Sequence, residues 1–189
     1  MILLLFAVAG IALAAVRGRK TGGRFSPEGI LCLRGLWFLL AGLLLHEVPV
    51  WIPGFPARLF GLFTVAWDLF VLIFLFLNRN RGLPVFLMIA GTLSNFCVIA
   101  SNGFRMPVSP AALAMYPGMT PEAVAARKVG YFVAVRGANL YYLGDVVPVP
   151  FGRLGGFASA GDLLLGVGLM LLLAEVMDGD GIPTKEKSL

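Results

Sequence analysis

Histidine occurs once in the 189 residues and cysteine twice, as Cys32 and Cys97 in separate apolar runs. No zinc ligand set can be assembled from so few soft and imidazole groups, so no structural zinc site is expected and no cofactor is implied. A disulfide between the two cysteines would have to staple helices together inside a bilayer, so both are expected as buried free thiols. Charge is also scarce: 13% of residues are Asp, Glu, Lys or Arg against 59% hydrophobic, and the mean hydropathy is +0.90. A water-soluble domain cannot hide that much apolar surface, so the solvent for most of the chain is lipid. Phosphate-cradling loops are missing, because Gly152, Gly155 and Gly156 have neither G-x-G-x-x-G nor P-loop spacing. There is no internal repeat.

The net charge is +5 and the pI about 9.6. In a membrane chain such an excess marks cytoplasmic loops, so it implies no nucleic-acid partner. Membrane lipids, with another membrane protein as the alternative, are the partners to expect.

The apolar runs predict an all-α membrane protein, a single integral membrane domain over residues 1–189. Five transmembrane helices are expected at about 1–16, 27–45, 57–77, 83–101 and 160–177, with an extracytoplasmic cap of short helices and loops at about 102–157. Arg17, Arg19, Lys20 and Arg24 follow the first run instead of preceding it, so it reads as a retained helix and not as a cleaved signal peptide. Ser26-Pro27-Glu28 offers an N-cap, a proline at the first helical position and an acid in the first turn for the second span. The stretch from Val48 to Phe55 contains Pro49 and Pro53; it is expected to stop the helix and to lie along the outer surface with Trp51 at the interface.

The third and fourth spans form a hairpin around Asn78-Arg79-Asn80-Arg81-Gly82. Within the cap, Ser109-Pro110 and Thr120-Pro121-Glu122 each mark the start of a short surface helix, and residues 129–135 are too few to cross. Basic residues sit after the first span, at Arg79 and Arg81, and at Lys185 and Lys187, all on one side. The positive-inside rule then places the chain in the plasma (cytoplasmic) membrane with the N-terminus outside and the C-terminus cytoplasmic.

A charge at membrane depth costs about 2.5 to 3.5 kcal/mol on insertion scales, so each one calls for a partner or a wet pocket. Arg34 lies roughly 10 Å and Asp68 roughly 13 Å from the cytoplasmic end of their spans, counting 1.5 Å per residue. An intramembrane ion pair, Arg34 to Asp68, is the expectation. Asn95 is placed to hydrogen-bond a neighbouring helix, and Glu175 to reach water.

Candidate binding residues gather on the outer face: His46, Glu47, Asn102, Arg105, Asp145 and Asp162. Convergent in one pocket, they can bind a polar headgroup, and Asp145 with Asp162 are the candidate catalytic pair. Each also has a structural reading. Ser159-Ala160-Gly161-Asp162 has the form of a capping box, Asp145 after Gly144 is a turn former, and His46 beside Glu47 is a helix-end residue. Three functions follow: a non-enzymatic membrane protein binding a lipid headgroup, small ligand or partner subunit through its cap; an aspartate-dependent interfacial hydrolase; or a small transporter subunit, which the lack of a repeat disfavours.

The combination of Val16-Arg17-Gly18-Arg19-Lys20-Thr21-Gly22-Gly23, Leu33-Arg34-Gly35-Leu36-Trp37, Asn102-Gly103 before Met106-Pro107-Val108-Ser109, Leu143-Gly144-Asp145 before Val147-Pro148, and Ser159-Ala160-Gly161-Asp162 resembles the DUF5317 family of bacterial multi-pass membrane proteins. That resemblance implies a membrane location and a retained first helix, and it implies no activity. A fainter likeness is to lipoprotein signal peptidase, a membrane hydrolase with two outer-face aspartates, whose parts Asp145 and Asp162 would take. The Asn-x-x-Asp-Arg context of its first aspartate is absent here, so the analogy is one of role.

Overall fold

The structure, a computed structural model, describes residues 2–21, 25–52, 55–116, 118–127, 130–134, 137–150 and 156–178. Five long helices dominate: α1 (Ile2–Thr21), α2 (Leu36–Trp51), α3 (Ala57–Leu77), α4 (Leu83–Ser101) and, after the two short helices α5 (Pro110–Leu113) and α6 (Pro121–Arg127), α7 (Ala160–Val176). Three of them contain stretches long and apolar enough to cross a membrane, Ile2–Arg19, Leu59–Leu77 and Leu83–Ser101. The other two, α2 and α7, have 16 and 17 residues, roughly 24 and 26 Å of helix.

The third and fourth expected spans coincide with α3 and α4. The first helix runs past Val16 through Arg17 and Arg19 to Thr21, because a single glycine at 18 weakens a helix without ending it. The second differs more. Pro27–Cys32 is a 3-10 helix, and the chain then reverses at Arg34 and Gly35 before α2 begins. Gly35 has φ 70, a left-handed conformation that glycine adopts without steric penalty. At its far end α2 continues through Pro49 to Trp51. A proline so near a C-terminus forfeits one backbone bond, and its fixed φ suits the helix.

The long helices pack in the order α1, α7, α4, α3, α2. Small residues set the closest approaches. A Cβ on Gly91 would stand 2.5 Å from the Gly161 carbonyl, and one on Gly168 would stand 2.6 Å from the Pro84 carbonyl, so α4 and α7 run antiparallel with their backbones nearly touching. Gly166 meets Phe6 and Gly10 meets Met170, so α1 runs parallel to α7. Gly42 meets Trp67 and Gly35 meets Leu77, which makes α2 and α3 antiparallel. Of the fully buried apolar side chains, Phe74, Leu75, Val85 and Leu172 lie toward the end where α3 turns into α4, and Val98 and Val108 toward the other. There Ser26 N–H donates to the Met177 carbonyl at 3.0 Å and Arg81 pairs with Glu175 at 3.2 Å.

Residues between α4 and α7 fold against the opposite end. Parallel strands β1 (Met106–Val108) and β2 (Tyr131–Val133) form one small sheet, and antiparallel β3 (Val147–Val149) and β4 (Gly156–Ala158) form another. Sheets were not expected there; the short Val, Tyr and Phe stretches supply them. Both expected surface helices are present: Ser109 Oγ accepts from Ala112 N–H at the start of α5, and Thr120 Oγ1 from Ala123 N–H at the start of α6. Val108, Leu113 and Val124 give this segment a small core of its own. The Tyr116 hydroxyl accepts from the N–H groups of Val149 and Gly156 and donates to the Gly156 carbonyl, closing the β3–β4 pair.

Candidate functional site

The Ser159–Asp162 capping box is formed. Ser159 Oγ accepts from Asp162 N–H at 2.9 Å, and Asp162 Oδ2 accepts from Ser159 N–H at 3.1 Å. Asn95 joins it from α4: its Nδ2 donates to Asp162 Oδ1 at 2.9 Å while Ser159 Oγ–H donates to its Oδ1 at 2.7 Å. Asn95 thus bonds a neighbouring helix, as the sequence led us to expect, and both oxygens of Asp162 are engaged. The same two helices meet here at Gly161 and Gly91, which lets the amide reach across.

Asp145 is 3% exposed and docks on the free edge of β1: its N–H donates to the Pro107 carbonyl at 2.9 Å and its carbonyl accepts from Ser109 N–H at 3.0 Å. Tyr131 feels the charge of both acids. Burial, then the negative charge of Asp145, then that of Asp162, push its phenol above the usual tyrosine range. One phenol within electrostatic reach of both carboxylates means that residues 145 and 162, distant in sequence, share a neighbourhood.

The remaining candidates hold the fold together. Asn102 and Asn139 clasp each other. Asn102 Nδ2 donates to the Asn139 carbonyl at 2.8 Å, Asn139 N–H donates to Asn102 Oδ1 at 3.1 Å, and Asn139 Nδ2 donates to the Ser101 carbonyl at 2.7 Å. Arg105 donates to the Tyr131 carbonyl at 2.7 Å and lies over the Phe132 ring. His46 and Glu47 form a 3.4 Å pair, and the His46 ring packs beside Trp67 of α3. That pair belongs to the α2–α3 contact.

The expected Arg34 to Asp68 ion pair is not formed; the ion pairs among the described residues include His46–Glu47 and Arg81–Glu175. The depth match assumed one continuous helix from Pro27, whereas Arg34 sits in the reversal before α2. Its N–H donates to Asn78 Oδ1 at 2.9 Å and its carbonyl accepts from Asn78 Nδ2 at 2.8 Å. Asp68 lies ten residues before Asn78 on α3, about 15 Å away along the helix. It is 7% exposed, and its Oδ2 has no hydrogen-bond partner. The cysteines are free but lie on exposed surface, a correction to their expected burial. Gly152, Gly155, Lys185 and Lys187 lie outside the described residues.

Sequence reasoning missed Asn78, Asn139 and Tyr131. Asn78 carried one signal, an amide at the point where an apolar run ends; the other two had none, because their partners are remote in sequence. Among the described residues no three His, Cys, Asp or Glu side chains come together as a metal site.

No curated protein and no solved structure matches the chain. Residues 31–174 match a family of unknown function, DUF5317. That match takes in α2 to α4, the whole segment carrying Asn102, Arg105, Tyr131 and Asp145, and the capping box with nearly all of α7. The chain belongs to the DUF5317 family.

Proposed function

We propose that the chain is a five-span protein of the cytoplasmic membrane whose segment 102–157 lies outside and binds a lipid headgroup, small ligand or partner subunit without catalysis. The observation that carries this is the engagement of both Asp162 oxygens, by Asn95 and by Ser159 N–H. A carboxylate so committed orders a helix start, with each of its oxygens already accepting a bond from the fold. Five spans are supported by the alternating directions of the five long helices, which put the basic Arg79–Arg81 turn and the end of α1 at the same end of the bundle.

Two measurements test this. In a Cys32→Ser, Cys97→Ser background, a membrane-impermeant maleimide on intact cells should label Glu122→Cys and should label Lys187→Cys only after permeabilisation; the reverse pattern overturns the orientation. Native mass spectrometry of the full chain, extracted with its own lipids, should show a retained lipid, small molecule or subunit. A bare chain rejects the binding reading.

A second reading, an aspartate-dependent interfacial hydrolase, rests on the shared reach of Asp145 and Asp162 to Tyr131. It requires Asp145→Asn to abolish turnover of a membrane-borne ester or peptide while leaving the fold intact.

A further inference from the structure

The end of the bundle that carries segment 102–157 has an apolar, aromatic turn that nothing among the described residues covers. Tyr142 is 83% exposed and Leu140 48%. They belong to the stretch 139–143, whose 3-10 helix Tyr141–Leu143 packs on both α4 and α7. Its position is fixed on two sides. Asn139 is clasped to Asn102 and to the Ser101 carbonyl, the last residue of α4, and the Tyr141 hydroxyl donates to Ser109 Oγ at 2.8 Å. The turn therefore sits at the level where an apolar span ends.

Its conformation turns apolar groups outward. Leu140 has φ 52 and Phe104 φ 60, both in the left-handed region that side chains other than glycine avoid, and they flank the two sides of the clasp. Phe104 lies against Gly61 of α3 and keeps 36% of its surface exposed, whereas Leu140 and Tyr142 are more exposed still. The exposed face of α4 continues into this turn through Leu93, Cys97 and Ala100. A second feature lies at the same end: Trp51, at the C-terminus of α2, which runs parallel to α4, is 78% exposed. Tryptophan and tyrosine concentrate where acyl chains meet headgroups, because an apolar ring with a polar tip suits both.

We infer that the turn 139–143 is an interfacial anchor that lays Leu140 and Tyr142 into the headgroup region of the lipid leaflet at this end of the bundle. The occupant is the same bilayer the helices cross, so the inference rests on the membrane reading above. The anchor sets the height and tilt of segment 102–157 over the lipid surface, which a segment that meets headgroups needs.

The test is a depth measurement by nitroxide labels in vesicles of phosphatidylethanolamine and phosphatidylglycerol, in the Cys32→Ser, Cys97→Ser background. Three sites are compared: Tyr142→Cys, Leu62→Cys on the exposed face of α3, and Glu122→Cys on the exposed start of α6. Collision with oxygen reports lipid, and collision with a nickel chelate reports water. The label at Tyr142→Cys is expected between the other two, with nickel collisions severalfold below those at Glu122→Cys. If it matches Glu122→Cys while Leu62→Cys is in lipid, the anchor is overturned and the membrane reading stands. If Leu62→Cys is itself in water, the membrane reading fails. A label at Tyr142→Cys shielded from both agents means a protein partner covers the turn, which also overturns the anchor. Tyr142 is almost fully solvent-facing, so these substitutions leave the fold in place.

Discussion

Asn78 is 2% exposed and spends its whole amide on backbone, accepting from Arg34 N–H and donating to the carbonyls of Arg34 and Phe74. It welds the start of α2 to the end of α3. Asn78→Ala leaves the Arg34 N–H and carbonyl without that partner, at a cost of about 1–3 kcal/mol; reversible unfolding in detergent should register it. Arg81→Ala removes a half-exposed ion pair and should cost under about 1 kcal/mol in the same measurement. Tyr131 gives a pH test. Its folded phenol is held neutral by burial and by Asp145 and Asp162, so it ionises later in the folded than in the unfolded chain, whose phenol ionises near 10.0. The stability this contributes is fully present below that pH and is lost as pH rises toward the folded value. Tyr131→Phe should flatten the alkaline limb of the stability profile, read by near-ultraviolet absorbance and unfolding together. An unchanged limb in the variant would show that another group controls it.

Among the elements, α7 has the most explicit start. Ser159→Ala removes an N-cap and one bond to Asn95, and a loss of about 1–2 kcal/mol is expected. Gly91→Leu drives a side chain into the Gly161 carbonyl and Leu165 backbone, so the α4–α7 pair has to separate. It should cost more than Ser159→Ala. Equal stability of the variant and the parent would show that these helices are not held at that distance. The bounds of α3 and α4 were legible because Pro56 and the polar turn 78–82 interrupt otherwise continuous apolar chain, and the capping box was legible because its members are three residues apart. The break at Gly35 was not. A glycine inside an apolar run reads the same whether it continues a helix or reverses it, and only the contact with Leu77 decides. The Arg34 to Asp68 pairing failed for that reason, since helical counting across a break assigns depth wrongly.

At the scale of the molecule, α7 is enclosed by α1 and α4, with α3 and α2 added on one side. Composition made the long apolar helices legible, and the small sheets between α4 and α7 were hidden because three-residue strands carry too little periodicity to register. The Asn95–Asp162 hydrogen bond joins residues 67 positions apart. During synthesis at 5–20 residues per second, α4 therefore exists for roughly 3 to 13 s before its partner leaves the ribosome. On the membrane reading proposed above, Asn95 and the bare backbone around Gly91 face lipid or a shielding factor through that interval. A nascent chain stalled before residue 160 should be held by the insertion machinery or degraded, and release into the bilayer should coincide with the arrival of α7.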